Sequence, residues 1–113
     1  MLDLDLAYFC AEIASSKKAE DIVILDVSKH AAIASFFVIA SVESSTQLRA
    51  IQEELEKQLY EKRIKPVRLE GKAGSGWILV DAPNVIVHLF HKTVRKYYNI
   101  EVLWQDKATI YHI

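Results

Sequence analysis

Three acids, Asp26, Glu70 and Asp81, stand where the ends of β-strands are expected. α/β enzymes place catalytic carboxylates at such ends, and with a divalent ion the three would suit nucleotidyl transfer or phosphate hydrolysis. Their spacing argues against it. They come from separate segments, and the one Asp-x-Asp arrangement, Asp3 and Asp5, falls in a predicted helix rather than after a strand. Strand-end acids more commonly cap turns. His88-Leu-Phe-His91 offers two imidazoles, with no cysteine or acid beside His88 at ligand spacing. Gly71-Lys-Ala-Gly-Ser-Gly76 lacks the terminal Lys-Ser/Thr of a phosphate loop and leads into a strand, so it reads as a turn. Cys10 lies on an apolar helical stripe and reads as core. Ser41, Ser44 and Ser45 have no evident His and Asp partner, and helix capping is their simplest role. No metal and no cofactor is expected. A metal-dependent nucleotidyltransferase or phosphatase built on Asp26, Glu70 and Asp81 is the alternative to a non-enzymatic reading.

The aromatic residues point elsewhere. Trp77 opens a strand, Trp104 follows the last helix, and Tyr97-Tyr98 occupy adjacent helical positions that cannot both face a core. Trp, Tyr and Leu around a lone strand histidine, without a nucleophile, suit recognition of another macromolecule.

The elements that must position these residues are legible from periodicity. Leu2, Leu6, Phe9, Cys10 and Ile13 recur at helical spacing, with Asp3 as candidate cap. Strands are predicted at 21–27 and 36–40. Ser44 and Gln47 form a capping-box pattern ahead of an apolar stripe, Leu48, Ile51, Leu55 and Leu59, and Glu53 precedes Lys57 by one turn. Further strands are predicted at 66–70, 77–81 and 85–90, the last two joined by the Asp81-Ala-Pro-Asn84 turn, and a final helix ends at Tyr97-Tyr98. This order predicts an α/β domain: a mixed five-stranded sheet with helices on at least one face.

Composition bounds the partners. A chain of 113 residues that is 51% hydrophobic and 26% charged is expected to form one domain, residues 1–113. A net charge of -1 exerts no general pull on nucleic acid or anionic membrane, so no direct nucleic-acid readout is expected. Cys10 alone excludes an internal disulfide and fits a reducing compartment. No apolar run is long enough to span a membrane, and the acidic start differs from a secretion signal, so a cytoplasmic location is expected.

Asp21-Ile-Val-Ile-Leu-Asp-Val-Ser28, Phe36-Phe-Val-Ile-Ala-Ser41, Ser44-Ser-Thr-Gln-Leu-Arg-Ala-Ile51 and Glu70-Gly71 resemble, in order, the Iojap or ribosomal silencing factor (RsfS) family. Trp77-Ile-Leu-Val-Asp81, Val87-His-Leu-Phe90, Tyr98-Asn-Ile-Glu101 and Leu103-Trp104 continue the likeness, which runs from about residue 3 to about residue 108. The chain departs from the family pattern at Val42, where a glycine is usual, at Ala34-Ser35-Phe36 and at the Asp81-Ala-Pro-Asn84 turn.

The resemblance implies a nucleotidyltransferase-like fold without catalytic acids, and a protein that is not an enzyme. It implies binding to the large ribosomal subunit through large-subunit ribosomal protein fourteen, a block to subunit joining, translational repression when nutrients are short, and homodimer formation in isolation. The face expected to bind the partner comprises Trp77, Asp81, His88, Tyr98, Glu101, Leu103 and Trp104. Trp77, Tyr98 and Trp104 would supply hot-spot area, and Asp81 and Glu101 would pair with basic groups. The tail, residues 108–113, has no assigned place.

Overall fold

The structure is a computed structural model. It describes residues 2–29, 34–65, 67–97, 102 and 109–112, the last four by their backbone. The first helix, α1 (Asp3–Ser16), buries Leu6, Ala7, Cys10, Ala11, Ile13 and Ala14. Asp3 is not its cap. Leu2 holds the N-cap position without a side-chain bond, and Asp3 and Asp5 lie in the first turn, where their charge complements the positive end of the helix dipole.

Strands β1 (Glu20–Asp26) and β2 (Phe36–Val42) are antiparallel neighbours, and every residue of β2 is buried. Val42, where the resemblance expects a glycine, ends β2 and packs in the core rather than in the turn that follows. Helix α2 (Ser45–Glu61) starts where its cap predicts: Ser44 Oγ accepts the Gln47 N–H at 3.1 Å. The reciprocal bond falls one residue earlier than in a standard capping box, because Gln47 Oε1 accepts from the Glu43 N–H at 2.9 Å. Gln47 Nε2 also donates to the Lys17 carbonyl, fastening α2 to the end of α1. Leu48, Ile51, Leu55 and Leu59 are all fully buried. The expected Glu53–Lys57 pair does not form an ion pair; Glu54 instead approaches Lys17 at 3.8 Å. Holding two long exposed side chains together gains little.

The third strand, β3 (Arg68–Lys72), extends past Gly71, where a turn was expected. Gly71 has φ +89°, and a Cβ there would sit 2.3 Å from the Trp77 carbonyl oxygen, so only glycine lets the strands close. A 3-10 turn, Ala73–Ser75, leads to β4 (Trp77–Ala82), and Pro83-Asn84 turns the chain into β5 (Val85–His91). Asn84 takes a left-handed conformation, φ +63°, which asparagine tolerates, and its carbonyl accepts the Ser35 and Phe36 N–H groups. Helix α3 (Lys92–Tyr97) follows. The tail supplies a further strand, β6 (Thr109–His112), which pairs antiparallel with β1.

The five predicted strands are therefore present and β6 makes a sixth. The sheet order is β3-β4-β5-β2-β1-β6, with β2 and β5 parallel and the other neighbouring pairs antiparallel. One sheet face is covered by α1 and α2. Alternate strand residues, among them Ile24, Val38, Ala40, Val80, Val87 and Leu89, meet the helices there. The intervening residues form a second cluster on the opposite face, around Leu25, Phe37, Ile39, Ile86 and Phe90. Val94 of α3 packs on that cluster. No helix among the described residues is long and apolar enough to cross a membrane.

Candidate partner-docking face

Strand alternation decides what the face opposite α1 and α2 presents. In register, Trp77 stands beside Phe90, Leu79 beside His88 and Asp81 beside Ile86, and the next strand continues with Ser41, Ile39 and Phe37. Trp77, Leu79 and Asp81 are half-buried, whereas Ile86, His88 and Phe90 are buried. Across β4, β5 and β2 the three β4 side chains thus form the accessible part, and the exposed Arg68, Glu70 and Lys72 of β3 continue the face at its edge.

Trp77 is held in place by stacking. Its ring lies over Phe90 with centroids 5.1 Å apart and planes 27° from parallel. The His88 ring lies nearly parallel to Phe90 at 6.1 Å and meets Phe37 edge-on at 4.9 Å. These rings support one another, so an exposed edge of Trp77 is preorganised and loses little freedom on binding.

His88 is buried with 7% of its surface exposed, and neither ring nitrogen finds a hydrogen-bond partner among the described residues. Burial disfavours the imidazolium and pushes its pKa down to about 4. At neutral pH His88 is an uncharged, aromatic-like member of the cluster. His91, three residues on, projects to the other side of the strand: its Nδ1 pairs with Thr93 Oγ1 at 2.6 Å and its Nε2 with the Glu43 carbonyl at 2.9 Å. The two histidines therefore do not converge on one site.

The three acids do not converge either. Asp26 Oδ1 accepts from the backbone N–H and the hydroxyl of Ser28, closing an Asx turn at the end of β1. By alternation Asp26 belongs to the helix-covered face, while Glu70 and Asp81 belong to the opposite one. No group of three His, Cys, Asp or Glu side chains able to hold a metal occurs among the described residues. The Cys10 thiol is buried and its pKa is pushed up to about 12, which leaves it protonated and inert.

α3 is locked by charged groups that sequence reading did not single out. Arg95 is buried and its guanidinium donates to the Ser41 hydroxyl at 2.8 Å and to the Asp21 carbonyl. Ser41 is thus an acceptor inside the fold and not a helix cap; Ser44 alone does that. Lys92 Nζ lies 2.7 Å from Glu43 Oε1 and 2.9 Å from Glu20 Oε2, so one ammonium joins β1, the start of α2 and α3. Lys92 holds the Glu43 carboxyl below its ordinary range, and the two carboxylates raise the Lys92 pKa.

Of the residues expected to bind a partner, the fold brings Trp77, Asp81 and His88 to one face, with His88 beneath its surface. Tyr98, Glu101, Leu103 and Trp104 lie outside the described residues. Tyr97, the other half of the tyrosine pair, is 89% exposed. Sequence reading missed Leu79, Phe37 and Arg68, which the register places beside His88, Ile86 and Asp81 respectively. The period-of-two pattern through Trp77, Leu79 and Asp81 was the available signal. A groove of about 660 Å³ between α2 and β3, lined by Tyr60, Ile64, Val67 and Leu69 among others, opens on the helix-covered side and holds none of the expected residues.

The fold thus layers α1 and α2 on one face of the sheet and sets a braced aromatic surface on the other. The family described as ribosomal silencing factor during starvation matches residues 3–112. The chain belongs to this ribosomal silencing factor family. Ribosomal silencing factor RsfS of Halalkalibacterium halodurans is 40% identical over 110 residues, covering 97% of this chain and 94% of the relative. The protein of the same name from Bacillus subtilis is 41% identical over 96 residues, covering 85% and 81%. A crystal structure of a Chromobacterium violaceum protein superposes with a TM-score of 0.87 at 32% identity, covering 93% of this chain and 88% of that one.

Proposed function

We propose that this chain docks on the large ribosomal subunit through large-subunit ribosomal protein fourteen, blocks joining of the small subunit and so represses translation when nutrients are limiting. The observation that carries the reading is the half-exposed Trp77, stacked on Phe90 and flanked by Leu79 and Asp81. A rigid aromatic edge beside an acid suits a partner surface rich in Lys and Arg. An interface of standard size takes roughly 800 Å² from each partner, and the domain offers 6725 Å² in all. Tyr98, Glu101, Leu103 and Trp104 complete the docking face in this reading, and residues 1–113 act as one unit in the cytoplasm.

Inhibition then requires no catalysis, because the bound domain occupies volume that the small subunit must fill. The alternative, a metal-dependent transferase or phosphatase, finds no support in the placement of Asp26, Glu70 and Asp81. In isolation the same apolar face would pair with a second copy, so self-association and ribosome docking would compete.

The test is co-sedimentation with separated ribosomal subunits, followed by light scattering of subunit joining. The protein should pellet with large subunits only and slow joining in proportion to occupancy. Normal joining at saturating protein would overturn the proposal.

A further inference from the structure

α3 is six residues long, Lys92–Tyr97, and a helix that short does not hold itself in water. Tertiary contacts therefore set its position. One of them draws on an irregularity in the sheet. β1 carries a bulge: Glu20 pairs with Ser41 and Val23 with Ile39, so Asp21 and Ile22 stand opposite Ala40 alone. Asp21 takes the left-handed conformation there, φ +49°, a strained state that its surroundings must sustain. Its carbonyl accepts from Arg95 Nη1, and the same nitrogen donates to the Ser41 hydroxyl at 2.8 Å. Arg95 and Ser41 are both buried. One guanidinium thus clasps the bulge of β1 and its neighbour β2.

The clasp reaches the docking face through Val94, the residue before Arg95. Val94 packs on the Phe90 cluster, as Trp77 and Leu79 do. It also abuts the residue that precedes Trp77. A Cβ on Gly76 would stand 2.8 Å from Val94 Cγ2 and 3.3 Å from His91 Cβ, and Gly76 has φ +79°. The Gly76 carbonyl accepts the His91 N–H at 2.8 Å. Gly76 is thus held from two sides, by the end of β5 and by α3, and Trp77 follows it at the start of β4. Phe90 supports the face of the Trp77 ring, while α3 fixes the backbone from which that ring projects. A shift of α3 away from the sheet would free Gly76 and let the Trp77 edge tilt.

We propose that Arg95 is a positioning residue for docking: its clasp on Asp21 and Ser41 keeps Val94 against Gly76 and so sets the Trp77 edge that meets the partner. Docking through Trp77, as proposed above, is the reading on which this role rests. Arg95 is buried and acts through Trp77, not by touching the partner. Lys92 lies on the same helix, but its bonds to Glu43 and Glu20 are exposed and hold little. Buried bonds from a charged donor hold more, because solvent does not compete for them. Contact groups that are set in advance lose less freedom on binding, so loosening α3 lowers affinity without removing a contact atom.

The experiment compares the full wild-type chain with Arg95→Met, Ser41→Ala, Trp77→Ala, and Arg95→Met combined with Trp77→Ala. Sedimentation with large subunits is corrected for the folded fraction, and amide exchange of α3 is referred to that of α2 in the same protein. In Arg95→Met, α3 amides should exchange roughly tenfold faster relative to α2. Affinity of that variant should fall about fivefold. Ser41→Ala removes one acceptor and should move both readouts the same way by less, which keeps the role testable if Arg95→Met does not fold. On the Trp77→Ala background, Arg95→Met should cost less than about twofold further, because its effect passes through Trp77. Acrylamide quenching follows Trp77 without ribosomes, in chains carrying Trp104→Phe so that Trp77 is the one tryptophan left. Arg95→Met should raise that quenching. Full additivity with Trp77→Ala, an affinity loss that vanishes on correction for the folded fraction, unchanged α3 exchange or unchanged quenching would each overturn the role. Wild type that does not pellet with large subunits, while Arg95→Met still raises quenching, would remove the docking reading and leave the coupling of α3 to Trp77 in place.

Discussion

The two faces of the sheet are built from the same strands and do opposite work. On the helix-covered face Leu48, Ile51, Leu55 and Leu59 of α2 and the small side chains of α1 close over alternate strand residues, all at or near zero exposure. On the other face the same alternation sets Trp77, Leu79 and Asp81 at partial exposure above Phe90 and His88. The first face stores stability. The second keeps surface available, and accepts a buried imidazole that finds no hydrogen bond among the described residues. Substitutions on the two sides should therefore separate folding from binding.

The largest effect is expected from Leu55→Ala, which empties a fully buried position between α2 and the sheet and should cost about 3 to 5 kcal/mol in denaturant unfolding. Any loss of large-subunit binding in that variant should vanish when corrected for the folded fraction. If binding of the folded fraction also falls, the two faces are coupled and the division fails.

The next effect concerns His88 and acid. Its folded-state pKa of about 4 lies below the ordinary 6.5, so the unfolded chain binds the proton first. Stability from the neutral ring is complete above pH 6.5 and is lost as pH falls toward 4. The full loss is about 3 kcal/mol at 1.36 kcal/mol per pH unit of displacement. Carboxylates such as Glu43 contribute their own acid loss, so the measurement is the difference between wild type and His88→Phe, unfolded in urea across that range. His88→Phe should show a shallower decline and bind large subunits normally. Parallel declines in the two proteins would mean that His88 is not buried neutral.

Trp77→Ala should weaken large-subunit binding by about 2 kcal/mol or more while the domain stays folded, as judged by sedimentation beside circular dichroism. Unaltered binding would move the docking surface elsewhere. The smallest effect belongs to Lys92→Gln. Its bridge to Glu43 and Glu20 is exposed, so stability should fall slightly at low salt and be indistinguishable from wild type at high salt.

Much of this architecture was legible from local pattern. The α2 stripe, its Ser44 cap and the five strands all follow from periods of 3.6 and 2 with turn residues between them. Local pattern failed where a distant group intervened. Gly71 reads as a turn, yet it continues β3 because it pairs with Ile78 of β4, where the Trp77 carbonyl leaves no room for a Cβ. Ser41 reads as a cap, yet it receives Arg95 from a helix more than fifty positions away. The tail is β-prone by composition, yet nothing local names its partner, which is β1 at the far end of the sheet.

The amino-acid order by itself determined α1, α2, the first five strands, the α2 core stripe and the family likeness, because each rests on residue spacing within a few turns of chain. Only the tertiary structure decided which alternate set of strand residues the helices cover. It also decided that Arg68 and Lys72 share a side with Trp77 and Asp81. Sheet order and register set both, and those depend on backbone pairing between segments far apart in the chain.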